Sequence, residues 1–130
     1  MGARSYRAVL QDPRWQRKRL SVLSRANWHC EWCGTGDRSL QVHHGFYGKT
    51  DGELRSPWQV PEAVLWALCD QCHERAEVAR QSLYLEIGRI HPKFHYHVRQ
   101  LLQQVQEIIE RNPEELRDAG VAADPVHEDR

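Results

Sequence analysis

Four cysteines in two closely spaced pairs constrain the fold of this chain more than any other feature of its sequence. They are Cys30 and Cys33, followed by Cys69 and Cys72, and two residues separate the members of each pair. That spacing lets both thiolates of a pair bind one tetrahedral ion at roughly 2.3 Å. Gly34 follows the first pair, where a metal-binding knuckle often needs a positive φ. We predict a closed four-cysteine zinc site, and with no open position this zinc is expected to be structural.

The two cysteine pairs are unusually far apart. Between Cys33 and Cys69 lie 35 residues, whereas short four-cysteine modules have about 15–20. Residues 39–43 alternate like a strand, and glycines and prolines predict a loop over about 45–57. Residues 61–68 are expected to open with a helical turn that leads into the second pair. A hairpin and a loop are therefore predicted between the two halves of the zinc site.

The segment before the cysteines is predicted to be a helix. Asp12 and Pro13 are typical of a helix start, as N-cap and first helical residue, and Asn27 is the predicted stop. Its buried stripe is expected to consist of Trp15, Leu20, Val22, Leu23 and Ala26.

The segment after the cysteines is predicted to be a helical extension. A helix runs from His73 to about residue 90, where His91 and Pro92 end it. Apolar residues at steps of three and four predict an amphipathic helix over 93–111, and a short helix follows over 114–119. We expect a single domain with four parts: an N-terminal arm and basic helix at 1–28, a zinc core at 29–80, a helical extension at 81–120 and a disordered tail at 121–130.

Charge is unevenly distributed although the net charge is zero. Residues 1–38 hold eight basic and three acidic side chains, a charge of +5, whereas residues 101–130 hold three and eight, a charge of −5. Of the 18 basic residues 15 are Arg, which favours bidentate contact with phosphates or carboxylates. A solvated helix face and an acidic, solubilising tail explain the same pattern, and charge alone favours that simpler interpretation.

Three histidines lie beside the predicted strand and the second cysteine pair. His43 and His44 are adjacent, and His73 directly follows Cys72. Neighbouring strand side chains point to opposite faces, so one of the adjacent pair can bind a metal while the other contacts a different group, such as water. The cysteine site would bring His73 near His43, and a catalytic metal there would be a second ion with open positions. Taken singly, each histidine is more simply a surface residue.

These motifs resemble the HNH endonucleases that carry a four-cysteine zinc site. The matching segments are Cys30-Glu-Trp-Cys33-Gly34, Leu40-Gln-Val-His43-His44, Tyr47, Pro57-Trp58, Pro61 and Leu68-Cys-Asp-Gln-Cys72-His73. The predicted helix beginning at Asp12 is similar to the N-terminal helix of small phage and bacterial members. The resemblance covers about residues 6–77.

The resemblance implies an α+β, mainly helical fold. Its ββα-metal, treble-clef-like core is held by the zinc site, with an N-terminal helix and C-terminal helices around it. His43 and His73 stand where the family has metal ligands, and His44 where it has the general base. Glu77 stands where some members have a further His, and a carboxylate there can bind Mg²⁺ or Mn²⁺. A solvent-facing helix residue is the alternative for Glu77.

The activity implied is metal-dependent hydrolysis of DNA phosphodiester bonds. The resemblance implies structural Zn²⁺ and a catalytic Mg²⁺, Mn²⁺ or Ni²⁺. His44 would take a proton from water, and the metal on His43 and His73 would stabilise charge as it develops. The basic helix is expected to contact the DNA backbone. Its contacting side chains are predicted to be Arg14, Arg17, Lys18, Arg19 and Arg25.

One residue of the family pattern is missing. Val64 stands about where the family has the Asn that orients the base histidine, and Gln59 and Glu62 are candidates to replace it. The missing Asn favours, as the alternative, a catalytically weak or inactive HNH-like zinc module that binds DNA or a protein partner.

Location and self-association are predicted from apolar patterning. No apolar run approaches the ~20 residues of a membrane span, and the N-terminus lacks the apolar core of a signal peptide. We therefore expect a cytoplasmic protein without a membrane partner. The 93–111 helix has an apolar face long enough for a homodimer seam, although packing on the chain's own core is the simpler alternative.

Overall fold

A computed structural model of the chain describes residues 5–50 and 52–118, with the backbone alone at positions 50 and 118. The chain divides into two compact units, residues 1–82 and 83–130. The predicted single domain and its four parts stay a prediction, and the tail at 121–130 lies outside the described residues. Within the part of the chain that is described, no helix has both the length and the apolar character needed to cross a bilayer.

The N-terminal helices are α1 (Tyr6–Leu10) and α2 (Pro13–Arg25). The predicted start of α2 is confirmed, because the Asp12 carboxylate accepts a hydrogen bond from the Arg14 N–H at 2.9 Å. The helix ends at Arg25, and Asn27 then takes a positive φ of 54°. The prediction that Leu20 is buried is wrong, since this side chain is 47% exposed. At 100° per residue, Leu20 points about 140° away from Trp15 around the helix.

The predicted strand is present as β1 (Leu40–His44), and it pairs antiparallel with β4 (Leu65–Cys69). His43 lies opposite Trp66 and His44 opposite Leu65. Between them, β2 (Lys49–Thr50) and β3 (Glu53–Leu54) form a separate minimal hairpin, where a loop was predicted. The expected helical turn before β4 is confirmed as a 3₁₀ turn at Glu62–Val64.

The core of the first unit lies between α2 and one face of the β1–β4 pair. Side chains alternate along a strand, so His44 shares this face with Leu65 and Ala67, whereas His43 and Trp66 share the other. The buried side chains of this core are Trp15, Val22, Leu23, Val60, Leu65 and Ala67. Burying a Val, Leu or Trp side chain contributes on the order of 2 kcal/mol, so this cluster fixes the strand pair against α2.

Helix α3 (Asp70–Gly88) begins inside the second cysteine pair, slightly earlier than predicted. A 3₁₀ turn at Pro92–Phe94 follows the predicted break, and then come α4 (His95–Arg111) and α5 (Glu114–Asp118). Apolar side chains of α4 are exposed, including Leu101 and Leu102. The fold is thus mainly helical, with a small antiparallel sheet and a cluster of four cysteines.

Candidate metal centre

The four cysteine sulfurs converge on one point. Cys30 and Cys33 lie in the turn after α2, Cys69 ends β4, and Cys72 lies in the first turn of α3. Their Sγ atoms all lie within 4.8 Å of one another, and the Cys33 and Cys69 Sγ atoms are 3.8 Å apart. Four ligands at roughly 2.3 Å from a tetrahedral ion lie about 3.8 Å from one another. The cluster can therefore hold a structural metal such as zinc.

The turn around the first pair has backbone geometry suited to a thiolate. The N–H groups of Trp32 and Cys33 point at the Cys30 Sγ at 3.4 and 3.5 Å. Gly34 has the expected positive φ, at 80°. Burial raises the pKa of Cys30, but hydrogen bonds from the surrounding backbone outweigh it and bring that pKa down to about 6. The Cys30 sulfur is thus prepared to carry negative charge.

The second pair contributes the most strongly buried sulfurs. Burial raises the pKa of the Cys72 thiol to about 12 when no cation is near. Four thiolates within van der Waals reach of one another repel strongly in a buried site, and a bound cation removes that repulsion.

A second group of side chains that could hold a metal ion lies on the face of the sheet opposite the α2 core. His43 on β1 meets His73 and Glu77 on α3, and one ligand atom of each lies within 4.8 Å of the other two. The His43 and His73 ring centroids are 5.3 Å apart, with the rings nearly perpendicular at 82°. The sequence predicted these residues as metal ligands, and the structure brings all three together.

The His43 and Glu77 side chains lie close enough together to bind the same ion. The His43 Nδ1 lies 3.2 Å from the Glu77 Oε1, yet this buried nitrogen has no hydrogen-bond partner of acceptable geometry among the described residues. Adjacent ligands of an octahedral ion at roughly 2.1 Å lie about 3 Å apart. The orphaned nitrogen and the carboxylate oxygen therefore fit a shared ion.

Arg80 organises this second group. Its guanidinium bonds the Glu77 Oε2 and donates a hydrogen bond to the His44 backbone oxygen at 2.6 Å. Burial of His43, followed by the charge of Arg80, lowers the His43 pKa and keeps its lone pair free. Burial raises the pKa of Glu77, but the hydrogen bond and charge of Arg80 outweigh it, so the carboxyl is ionised. Sequence reasoning missed Arg80, although its position three residues after Glu77 predicts a helical ion pair.

His44 lies on the core face of the sheet, away from His43. Its ring stacks between Trp15 and Tyr47, with centroids 5.0 and 4.4 Å away. Burial lowers its pKa to about 4, although a hydrogen bond with the Pro57 backbone opposes the shift. Proline has no N–H, so the Pro57 carbonyl accepts from the ring; the Nε2 is buried without a partner among the described residues. With its pKa lowered in this way, the His44 ring is neutral near pH 7.

The basic side chains of α2 divide into two groups. Three of the five predicted DNA contacts bind their own chain: Arg14 pairs with Asp12, Lys18 donates to the Trp58 carbonyl, and Arg25 bonds Glu31, Glu62 and Leu65. Arg17 is exposed and Arg19 is half-buried beside Leu23 in a polar cavity. These two remain the members of the predicted set best placed to meet a ligand.

The two residues proposed to replace the family Asn bind elsewhere. Gln59 accepts the Ser56 N–H at 2.8 Å, and Glu62 accepts from the Ser21 hydroxyl at 3.2 Å. Each caps or ties a turn, so the expectation that one of them orients His44 is not met by these contacts.

Comparison with protein-family models, curated proteins and solved structures finds no match for this chain. The functional interpretation therefore depends on the site's own chemistry.

Proposed function

We propose that the chain is a metal-dependent endonuclease of HNH type that hydrolyses DNA phosphodiester bonds. The observation that carries the proposal is the convergence of His43, His73 and Glu77, whose ligand atoms lie within 4.8 Å of one another. Under this proposal β1, β4 and the first turns of α3 form a ββα-metal core. The four cysteines hold a structural Zn²⁺ that fixes the start of α3 against the end of β4.

Two imidazoles and one carboxylate suit a first-row divalent ion with open coordination positions. Imidazole nitrogens favour Ni²⁺ or Mn²⁺ over Mg²⁺, which prefers oxygen ligands. When bound, such an ion supplies Lewis-acid stabilisation of a phosphate oxygen. The contribution of the chain is to hold the two rings and the carboxylate in place, with Arg80 fixing the second oxygen of Glu77.

His44 is the proposed general base. The lowered pKa of the ring keeps it neutral, and a neutral imidazole has a nitrogen lone pair that can accept a proton from water. The Nε2 is enclosed by neighbouring groups, so the proposal requires that the loop carrying Tyr47 moves to admit the substrate. Gly45 and Gly48 flank this loop, and Gly48 has a positive φ of 73°, a conformation that glycine adopts without strain.

A non-cutting zinc module that binds nucleic acid is the second candidate. The burial of the His44 Nε2 and the lowered pKa of that ring favour it, because a core histidine would have both features. The two candidates share the cysteine site and the exposed Arg17, and they differ only in whether His44 meets a reacting water.

A cleavage assay separates the two candidates. Supercoiled plasmid is incubated with the zinc-loaded protein and Mg²⁺, Mn²⁺ or Ni²⁺. We expect nicking with at least one ion, strongest with Ni²⁺ or Mn²⁺, and a loss of at least 100-fold in His44→Ala, since general bases contribute roughly 10²–10⁴-fold. His97→Ala, at an exposed histidine outside the site, is the matched control. Absence of nicking with every ion, or equal nicking by His44→Ala, would refute the nuclease proposal.

A further inference from the structure

A cleft lined by two tryptophans adjoins the second metal-binding group. It encloses about 310 Å³ and is bounded by Glu31, Trp32, His43, Trp66, Leu68 and Ala76. Trp66 is 46% exposed, although it lies directly opposite His43 in the strand pair. The cleft and the proposed metal site therefore share the His43 side chain and the same face of the sheet.

Neighbouring groups fix the position of the Trp66 ring. The Arg25 guanidinium lies 5.7 Å from the centre of the ring, and Gly45 lies beside it, where an added Cβ would be in ordinary van der Waals contact with the indole nitrogen at 3.7 Å. Glu31 binds Arg25 and accepts the Ala67 N–H at 2.7 Å, so its carboxylate is already used in holding this wall. The cleft consequently presents an aromatic surface to solvent.

We propose that this cleft binds an unpaired nucleobase of the strand whose phosphate lies at His43, His73 and Glu77. The inference rests on the proposed function, because the metal site is what brings a phosphate next to the cleft. A largely apolar cleft bounded by two indole side chains suits a base, and stacking on an aromatic side chain contributes about 1–3 kcal/mol per base. A base inside a duplex has no free face to offer. The preferred ligand is therefore single-stranded or locally unpaired nucleic acid.

Other occupants fit these observations less well. An apolar side chain from a protein would not need a position beside metal ligands, and a second phosphate would meet the carboxylate of Glu31. A nucleotide can place its phosphate at the proposed metal ligands and its uncharged base in the cleft beside Glu31. Arg25 then serves the cleft by holding Trp66 rather than by contacting the phosphate backbone.

The test is a binding measurement that does not require cleavage. Fluorescence anisotropy is used with a labelled 12-nucleotide oligo-dT, an abasic strand of equal length and charge, and a duplex, each measured with and without Ni²⁺. We expect wild-type protein to bind oligo-dT about tenfold more tightly than the abasic strand. Trp66→Ala should abolish that preference and leave duplex affinity unchanged, whereas Trp66→Phe should retain most of it. Trp28→Ala, at a similarly exposed tryptophan of another cavity, should behave as wild type.

Each outcome decides the proposal. Equal wild-type affinity for oligo-dT and the abasic strand overturns the proposal. The same holds if Trp66→Ala lowers the affinity for oligo-dT, the abasic strand and the duplex by the same factor. The wild-type comparison stands even if Trp66→Ala does not fold. A protein that prefers oligo-dT but never nicks plasmid supports the cleft and refutes the nuclease, whereas one that nicks without this preference does the reverse.

Discussion

Replacing Arg25 by methionine should destabilise the fold rather than weaken nucleic-acid binding. The guanidinium donates to the Leu65 carbonyl at 2.6 Å, the Glu62 carbonyl at 3.1 Å and the Glu31 carboxylate at 3.0 Å. It thus ties the end of α2 to β4 and to the first cysteine turn. Methionine keeps the aliphatic packing but removes all three bonds and leaves the Glu31 charge without its partner.

The magnitude follows from these contacts. A hydrogen bond to a charged group contributes about 1.5–3 kcal/mol, but the Arg25 side chain is 36% exposed, and water replaces part of what is lost. We expect a loss of about 2 kcal/mol in the free energy of unfolding, and roughly 8 °C in Tm for a chain of this size. Thermal unfolding followed by circular dichroism, with zinc content measured in parallel, gives the value.

Arg17→Met is the matched control on the same helix, because Arg17 is exposed. It should melt within about 1 °C of wild type and reduce the salt dependence of duplex binding by about one counterion. If Arg25→Met instead melts like wild type and is the variant that lowers the salt slope, Arg25 contacts the backbone and its assignment to the fold is wrong.

Three further predictions test other parts of the chain. Cys72→Ser should reduce bound zinc from about one equivalent per chain towards zero and abolish cooperative unfolding, since structural zinc sites couple metal binding to folding; full zinc retention contradicts a four-cysteine site. Folding lowers the His44 pKa from about 6.5 to about 4. The neutral His44 ring therefore contributes fully to the free energy of unfolding above pH 6.5, and this contribution is lost as pH falls towards 4. Between pH 6.5 and pH 4, the free energy of unfolding of His44→Gln should fall by up to about 3 kcal/mol less than that of wild type. Urea titrations at each pH measure this free energy, and the same pH dependence in both proteins would contradict the prediction. If the apolar face of α4 forms a homodimer, Leu101→Glu should convert a dimer to a monomer in sedimentation while Gln100→Glu does not; a monomeric wild type excludes this seam.

The sequence was sufficient for features whose geometry is local. Two-residue spacing between cysteines fixes how two sulfurs approach one ion, and the side chain of Asp12 caps the helix that follows it at once. The break at Pro92 is equally local, because proline lacks the N–H that a helix interior needs. Such features depend on a few consecutive residues and survive any tertiary arrangement.

Features that depend on tertiary contacts could not be predicted in the same way. Arg17 and Arg25 look equivalent in the sequence, yet Arg25 donates a hydrogen bond to the carbonyl of Leu65, which is 40 residues away. Lys18 likewise donates a hydrogen bond to the Trp58 carbonyl, which is also 40 residues away in the sequence. A count of positive charges therefore overestimates the number of side chains free to meet a phosphate.

Main-chain contacts position the adjacent histidines of β1, where the HNH pattern would use the side chain of an Asn. The strand alternates its faces, so His43 meets α3 and His44 meets α2. Under the proposed function, the metal ligand and the base therefore lie in different environments. The positions of the two rings therefore depend on the main chain between His43 and His44 and on the loop that follows His44. Arg80 holds the His44 carbonyl at 2.6 Å, and the Val64 carbonyl accepts the Gly45 N–H at 2.8 Å. The backbone of Val64 makes this contact, so under the proposed function this hydrogen bond holds the loop beside His44 without an Asn side chain at position 64.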